Sequence, residues 1–237
     1  MSKNLKIGIV VADDDEYTEL EEIVNKFHGK EISVLKHIGH RFTVDNGTEV
    51  VSALCGIGKV NAAATTMKLI DDGCNCILNY GLSGGISGVR RGDICLPESF
   101  LEHDFDLTMI GYKPCEKPSQ DYIYYSDKRL YKIFSELLPS AVGGAAVTGD
   151  KFICSDEERV LLHNLFSATS CDMETAAIAY VCSVNDIPFI SVRRISDDAG
   201  DDALTSYHNT ISDSQISLSE IVLSGIKVIA NSENLSN

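Results

Sequence analysis

Apolar, β-branched runs of strand length alternate along the chain with amphipathic stretches of helix length, and this alternation narrows the fold more than any other feature. Lys6–Val11 reads as a buried strand, Cys76–Tyr80 as a strand, the stretch near Ala145–Thr148 as another, and Phe189–Ile195 as a β-rich run. Between and around them, Glu19–Phe27, Asn61–Asp72, Asp127–Leu138, Asp156–Leu165 and Glu174–Val184 read as helices. The first carries acidic residues at its N-terminal end, where the helix dipole favours them. Arg41–Val44 and Glu49–Leu54 flank Asp45-Asn46-Gly47, a strong two-residue hairpin signal. Gly81–Gly92 reads as a glycine-rich loop, and Ser206–Ala230 as a helical stripe through Ile211, Ile216, Val222, Ile226 and Ile229. Strands alternating with helices, plus one early hairpin, predict an α/β fold with a mixed central β-sheet flanked by helices.

The 237 residues suffice to bury a full core, and no linker, repeat or low-complexity block divides them. One domain over residues 1–237 is expected. With 44% hydrophobic and 23% charged residues, the chain is too apolar for disorder. No apolar run approaches the ~20 residues that span a bilayer. The first run contains Lys6 and stops at Asp13-Asp14-Asp15-Glu16, which suits a buried strand ending at a loop and not a signal peptide. A net charge of −15 argues against a nucleic acid or an anionic membrane as partner and leaves a small neutral or cationic ligand open. Eight cysteines without a secretory signal predict a reducing, cytoplasmic setting. Cys74 and Cys76 lack a second pair, and His37 and His40 lack a matching ligand nearby, so no metal is expected.

Several familiar motifs fail on inspection. Gly56-Ile57-Gly58-Lys59 resembles the end of a phosphate loop, but Ala53 and Val60 stand where glycine and a hydroxyl residue are needed. A dinucleotide fingerprint fails at Ser83, where a second glycine is required, so no cofactor is expected. Gly81-Leu82-Ser83-Gly84-Gly85 does satisfy G-x-S-x-G after a strand, with Asp197 and His208 in the right chain order for a serine hydrolase. That elbow needs a helix directly after its serine, and Gly84, Gly85, Gly88 and Gly92 oppose one at about 1 kcal/mol each against alanine.

Three acidic residues each end an apolar strand or open a helix: Glu16, Glu174 and Asp197. Ligands of open α/β sheets gather at the carboxyl ends of strands, so these acids could share a site. Helix caps and solvated loop charges account for such positions equally well. The surrounding segments run in order as Lys6-Ile7-Gly8-Ile9…Glu16, Gly56-Ile57-Gly58-Lys59-Val60, Asn79-Tyr80-Gly81…Gly84-Gly85, Gly149-Asp150-Lys151-Phe152-Ile153, Asp172-Met173-Glu174-Thr175 and Arg193-Arg194-Ile195-Ser196-Asp197. This series, over roughly residues 5 to 230, resembles the methylthioadenosine/S-adenosylhomocysteine nucleosidases of the purine nucleoside phosphorylase superfamily.

The resemblance implies hydrolysis of the N-glycosidic bond of a 5′-substituted adenosine, releasing adenine. Asp197 would protonate purine N7 and Ser196 would orient it; a free Asp titrates near 4, so burial must raise it for that role. Glu174 and Met173 would hold the ribose, with the Glu174 carboxylate beside the oxocarbenium-like sugar. Glu16 would act as base on the attacking water, helped by Arg193. Phe152 would stack on adenine and the Ile153 backbone would bond the base edge. Ile57 and Tyr207, an aromatic on a lid helix, would complete the pocket. In the family a homodimer partner walls the 5′ side, and Tyr112 and Pro118 fall on the matching segment. A phosphorylase remains the alternative acceptor chemistry, but Ala12-Asp13-Asp14-Asp15-Glu16 would repel phosphate where superfamily phosphorylases bind it. A storage relative would have lost the three acids that this chain keeps.

Some substrate-shaping positions depart from the family. Leu82 replaces a small hydroxyl residue near the catalytic water, Asp172 shortens a usual Glu, and Ile110 replaces an aromatic on the partner's wall. Asp13 replaces an apolar residue beside the 5′-alkylthio group; there it either favours a polar 5′ group or merely caps the first helix.

Overall fold

A computed structural model describes residues 5–44, 47–211 and 217–232. Its strands begin with β1 (Lys6–Val11), β2 (Lys30–Val34), β3 (His37–Thr43), β4 (Glu49–Leu54) and β5 (Cys76–Gly85). They continue with β6 (Ile94–Cys95), β7 (Ser99–Glu102), β8 (Ile123–Tyr125), β9 (Ala145–Thr148), β10 (Ala168–Asp172) and β11 (Phe189–Asp197). The helices are α1 (Asp14–Lys26), α2 (Lys59–Asp71), α3 (Lys128–Leu137), α4 (Asp156–Phe166), α5 (Thr175–Val184), α6 (Ala203–Ile211) and α7 (Leu218–Asn231).

Parallel strands in the order β4-β1-β5-β11 form the centre of one mixed sheet. β3 and β2 extend it antiparallel beyond β4. On the other side β5 meets β10 antiparallel, and the sheet continues through β9 and β7 to β8. The central strands are buried along nearly their whole length because helices cover both their faces. Tyr17, Leu20, Ile23 and Val24 of α1 share one core cluster with Leu130 and Phe134 of α3 and Val222, Ile226 and Ile229 of α7. Ala62 and Leu69 of α2 pack with Ala176, Ile178 and Cys182 of α5 in a second cluster. The α/β class and its mixed sheet are therefore as the alternation predicts.

The elements differ from the sequence expectations in instructive places. The first helix begins at Asp14 rather than Glu19, because Asp13 caps it by accepting the Asp15 N–H at 2.9 Å. Such a cap contributes about 1 kcal/mol and lets the polar Asp14–Thr18 turn join the helix. β3 and β4 pair as the hairpin signal predicts, although Asp45 and Asn46 lie outside the described residues. β2 adds a third antiparallel strand whose mostly exposed pattern hides it from a hydrophobicity reading. The C-terminal stripe resolves into α6 and α7; Ile216 and the side chains of His208 and Ile211 lie outside the described residues. The largest departure is that β5 runs on to Gly85, so Gly81, Gly84 and Gly85 are strand residues and not loop.

Candidate active site

The site forms where the partners of β5 change. β1 pairs with β5 as far as Val10 opposite Asn79, and β10 meets it at Cys171 opposite Gly84. Between those points β11 continues to pair along one side, and on the other the N-terminus of α1 comes in. Glu16 Oε1 accepts the Leu82 N–H at 2.6 Å, and the Tyr80 hydroxyl donates to the Glu16 carbonyl at 3.1 Å. A carboxylate thus takes the place of a strand as hydrogen-bond acceptor.

Arg193 lies on β11, 2% exposed, directly beside this point. Its Nε donates to Ser83 Oγ at 2.9 Å, its Nη1 to Asn79 Oδ1 at 3.2 Å, and its Nη2 to the Leu82 carbonyl. These bonds fix the guanidinium as a stationary cation, 3.8 Å from Glu174 Oε2 and 4.0 Å from Asp172 Oδ2. Glu174 precedes α5, and its Oε1 accepts the Gly58 N–H at 3.0 Å. Asp172 positions it: Asp172 Oδ1 accepts from Glu174 N, Thr175 N and Thr148 Oγ1 at 2.8–3.0 Å. The shortened acid therefore locks the turn that carries Glu174 into α5.

At the end of β11, Asp197 is 2% exposed; its Oδ2 accepts from Ser196 Oγ at 2.6 Å and its Oδ1 from Ala199 N at 2.8 Å. Burial raises the Asp197 pKa above the ordinary carboxylate value, against the lowering effect of those two bonds. Burial also raises Glu174, opposed by Arg193. Glu16 is pushed up to about 7, by burial first, with Arg193 opposing and Glu174 and Asp13 adding repulsion. Three carboxyls with elevated pKa converge on one cleft, an arrangement that favours proton transfer near neutral pH.

The cleft is a cavity of about 370 Å³. Asp13, Glu16, Ile57, Met173, Glu174 and Arg193 line it, together with Phe152, Ile153, Ser196, Asp197 and Tyr207. Phe152 and Tyr207 meet edge to face at 5.8 Å between ring centroids. Tyr112 and Pro118 do not line this cavity; Tyr112 is half-buried and Pro118 exposed, in the segment after the 3-10 turn Thr108–Ile110. A roomier open groove of about 640 Å³ beside β8 is lined by Asp121, Asp127, Arg129 and Asp186 among others, without such a convergence of buried acids.

Ser83 is not placed as a hydrolase nucleophile. The strand passes straight through it to Gly85 with no turn into a helix, and its Oγ accepts from a guanidinium, which cannot act as a base. The His208 side chain lies outside the described residues. Asn79 is a site residue that the motifs did not single out for a role: it accepts from Ser191 Oγ at 2.7 Å as well as from Arg193. Its signal was available, since a lone amide inside the apolar run Cys76–Tyr80 must find buried partners.

Comparison with known proteins places the chain in a family. A model of the phosphorylase superfamily matches residues 6–227. The 5′-methylthioadenosine/S-adenosylhomocysteine nucleosidase of Shewanella pealeana is 32% identical over 215 residues, covering 87% of this chain and 92% of that one. A structure of a mutant Helicobacter pylori nucleosidase with 5′-methylthioadenosine in its active site superposes with a TM-score of 0.90 at 23% identity, over 94% of this chain and 99% of that one. The futalosine hydrolase of Helicobacter pylori superposes with a TM-score of 0.89 at 25% identity, over 95% of this chain and 98% of the other. Fold and site thus define a phosphorylase-superfamily enzyme. Within that superfamily the chain belongs to the 5′-methylthioadenosine/S-adenosylhomocysteine nucleosidase family, whose members are N-glycosyl hydrolases.

Proposed function

We propose that the enzyme hydrolyses 5′-methylthioadenosine, S-adenosylhomocysteine or a related 5′-substituted adenosine to adenine and a free sugar, in the cavity between β1, β5, β10 and β11. The single observation that carries the reading is the convergence of Glu16, Glu174 and Asp197 on one cavity that Arg193 also lines. Breaking the C1′–N9 bond develops negative charge on the base and positive charge on the sugar. Asp197, raised by burial, delivers a proton to N7 and neutralises the departing adenine. Ser196 holds the carboxyl by its 2.6 Å bond. Glu174 accepts from the ribose hydroxyls and faces the cationic sugar. Glu16, near pKa 7, takes the proton of the attacking water. Phe152 stacks on the purine, with the Ile153 backbone along its edge and Met173 and Ile57 against the ribose.

Water is favoured over phosphate as acceptor. The N-cap and first turn of α1, which follow β1, carry Asp13, Asp14, Asp15 and Glu16 with no cation, and three nitrogens of Arg193 are already bonded to Ser83, Asn79 and Leu82. Adenine release is expected to need no phosphate and to yield the free sugar; a rate proportional to phosphate, with a sugar phosphate product, would refute the assignment.

The working unit is a homodimer in the cytoplasm, residues 1–237 acting as one domain. Met109 is 95% and Ile110 70% exposed in the segment that also carries Tyr112 and Pro118, so this apolar turn needs cover. A partner's Tyr112 and Pro118 would then wall the outer end of the cavity. Sedimentation should give a dimeric mass that Ile110→Asp lowers together with activity; a fully active monomer would exclude this arrangement.

A further inference from the structure

Under the roles above, the cavity wall left for the 5′ end of the nucleoside includes Asp13, Leu204 and Tyr207. Asp13 is the N-cap of α1 and Glu16 its third helical residue, and both line the cavity. Asp13 both caps the helix and lines the cavity, which unites two readings that the sequence set against each other. The cap bond at 2.9 Å to Asp15 N pins one carboxylate oxygen. A carboxylate has about four lone-pair sites, so acceptor capacity is left for a ligand. The cations lining the cavity are turned elsewhere: Lys151 pairs with Glu158, and Arg193 faces Glu174 and Asp172.

We infer that Asp13 makes this site select nucleosides whose 5′ substituent carries a hydrogen-bond donor, a hydroxyl or an ammonium, over nucleosides whose 5′ substituent is an alkylthio group without a donor, such as methylthio. The inference rests on the nucleosidase reading and deepens it by naming the substrate class. A methylthio group packed against Asp13 strips water from the carboxylate and returns no hydrogen bond, which costs free energy. A 5′-hydroxyl donates a charge-assisted bond to it, and a 5′-ammonium adds ionic attraction. A 5′-phosphate meets Asp13, Glu16 and Glu174 together and is repelled. The futalosine hydrolase has the same fold, so specificity is set by wall residues of this kind and not by the scaffold.

The test is kcat/KM for adenine release from 5′-amino-5′-deoxyadenosine, adenosine and 5′-methylthioadenosine, in native enzyme, Asp13→Met and Asp13→Asn. Native enzyme is expected to favour the first two over the third. Asp13→Met should swing the adenosine-to-methylthioadenosine ratio at least 10-fold toward the thioether. Asp13→Asn keeps an acceptor and a helix cap but no charge, so it should lose at least 10-fold of the preference for the amine over adenosine. Should Asp13→Met fold poorly for want of its cap, Asp13→Asn decides alone through that ratio. Adenine release with methylthioadenosine strongly preferred, and both ratios unmoved by the variants, overturns this inference and leaves the nucleosidase reading standing. Release of adenine from none of the nucleosides by native enzyme overturns that reading, and the inference with it.

Discussion

Glu16 and Arg193 face each other across Gly81, so closely that a Cβ on that residue would sit 2.8 Å from Arg193 Nη1 and 2.8 Å from each Glu16 carboxylate oxygen. Both contacts are with the ends of side chains, so Gly81→Ala displaces the acid and the cation and leaves the strand in place. We expect kcat to fall about 100-fold, the usual consequence of shifting a catalytic group by an ångström. The melting temperature should stay within a few degrees of native. A fully active alanine variant would mean that Glu16 is not used where it stands.

The elevated pKa of Glu16 predicts the acid limb of the pH–rate profile. As the proposed base, Glu16 must be ionised to take a proton from water, so kcat/KM should decline below about pH 7, where it becomes protonated. In Glu16→Gln the residual activity should lose that limb. Finding the limb unchanged in the variant would assign it to another group.

Stability should run the opposite way. A carboxyl with a folded-state pKa near 7 and an ordinary value of 4.5 binds its proton more tightly in the folded protein. Its contribution therefore favours folding at low pH and declines as pH rises from 4.5 to 7. Glu16→Gln keeps an oxygen to accept the Leu82 N–H and removes the buried charge. It should stabilise the fold at pH 8 by on the order of 1–3 kcal/mol, with the gain vanishing near pH 4.5. Denaturant midpoints at both pH values measure this; an equal effect at both would mean that the charge is not the cause.

Asp197 and Ser83 separate the two chemistries raised by the sequence. Asp197→Asn should slow adenine release at least ~100-fold without unfolding the protein, the usual worth of a general acid. Ser83→Ala removes one of several bonds to Arg193, whose other anchors are Asn79 and the Leu82 carbonyl, so about a 10-fold loss or less is expected. Abolished activity in Ser83→Ala with a normal Asp197→Asn would reinstate a serine hydrolase.

What the sequence determined by itself was whatever depends on local pattern. Lys6–Val11 is a strand buried almost throughout, and its continuous apolar, β-branched run says so without any partner in view; Phe189–Ile195 is legible as a strand from its β-rich composition. The starts of the third and fourth helices are legible to within a residue, and the caps beneath them, Asp127 and Ser155, bond only to residues two or three places on. The order of the short motifs likewise sufficed for the family. Only the tertiary structure decided the rest, because the deciding contacts join residues far apart in the chain. Glu16 bonds Leu82, Glu174 bonds Gly58, and Arg193 bonds Asn79, pairs that no periodicity links. The glycines after Tyr80 read as strand breakers from propensity, yet they continue β5. There a missing side chain is what lets Glu16 and Arg193 approach at Gly81, and Asp197 at Gly84. Asp13 shows the same division: its cap is local and legible, while its place on the cavity wall follows from where β1 delivers α1 against β5, which packing alone sets.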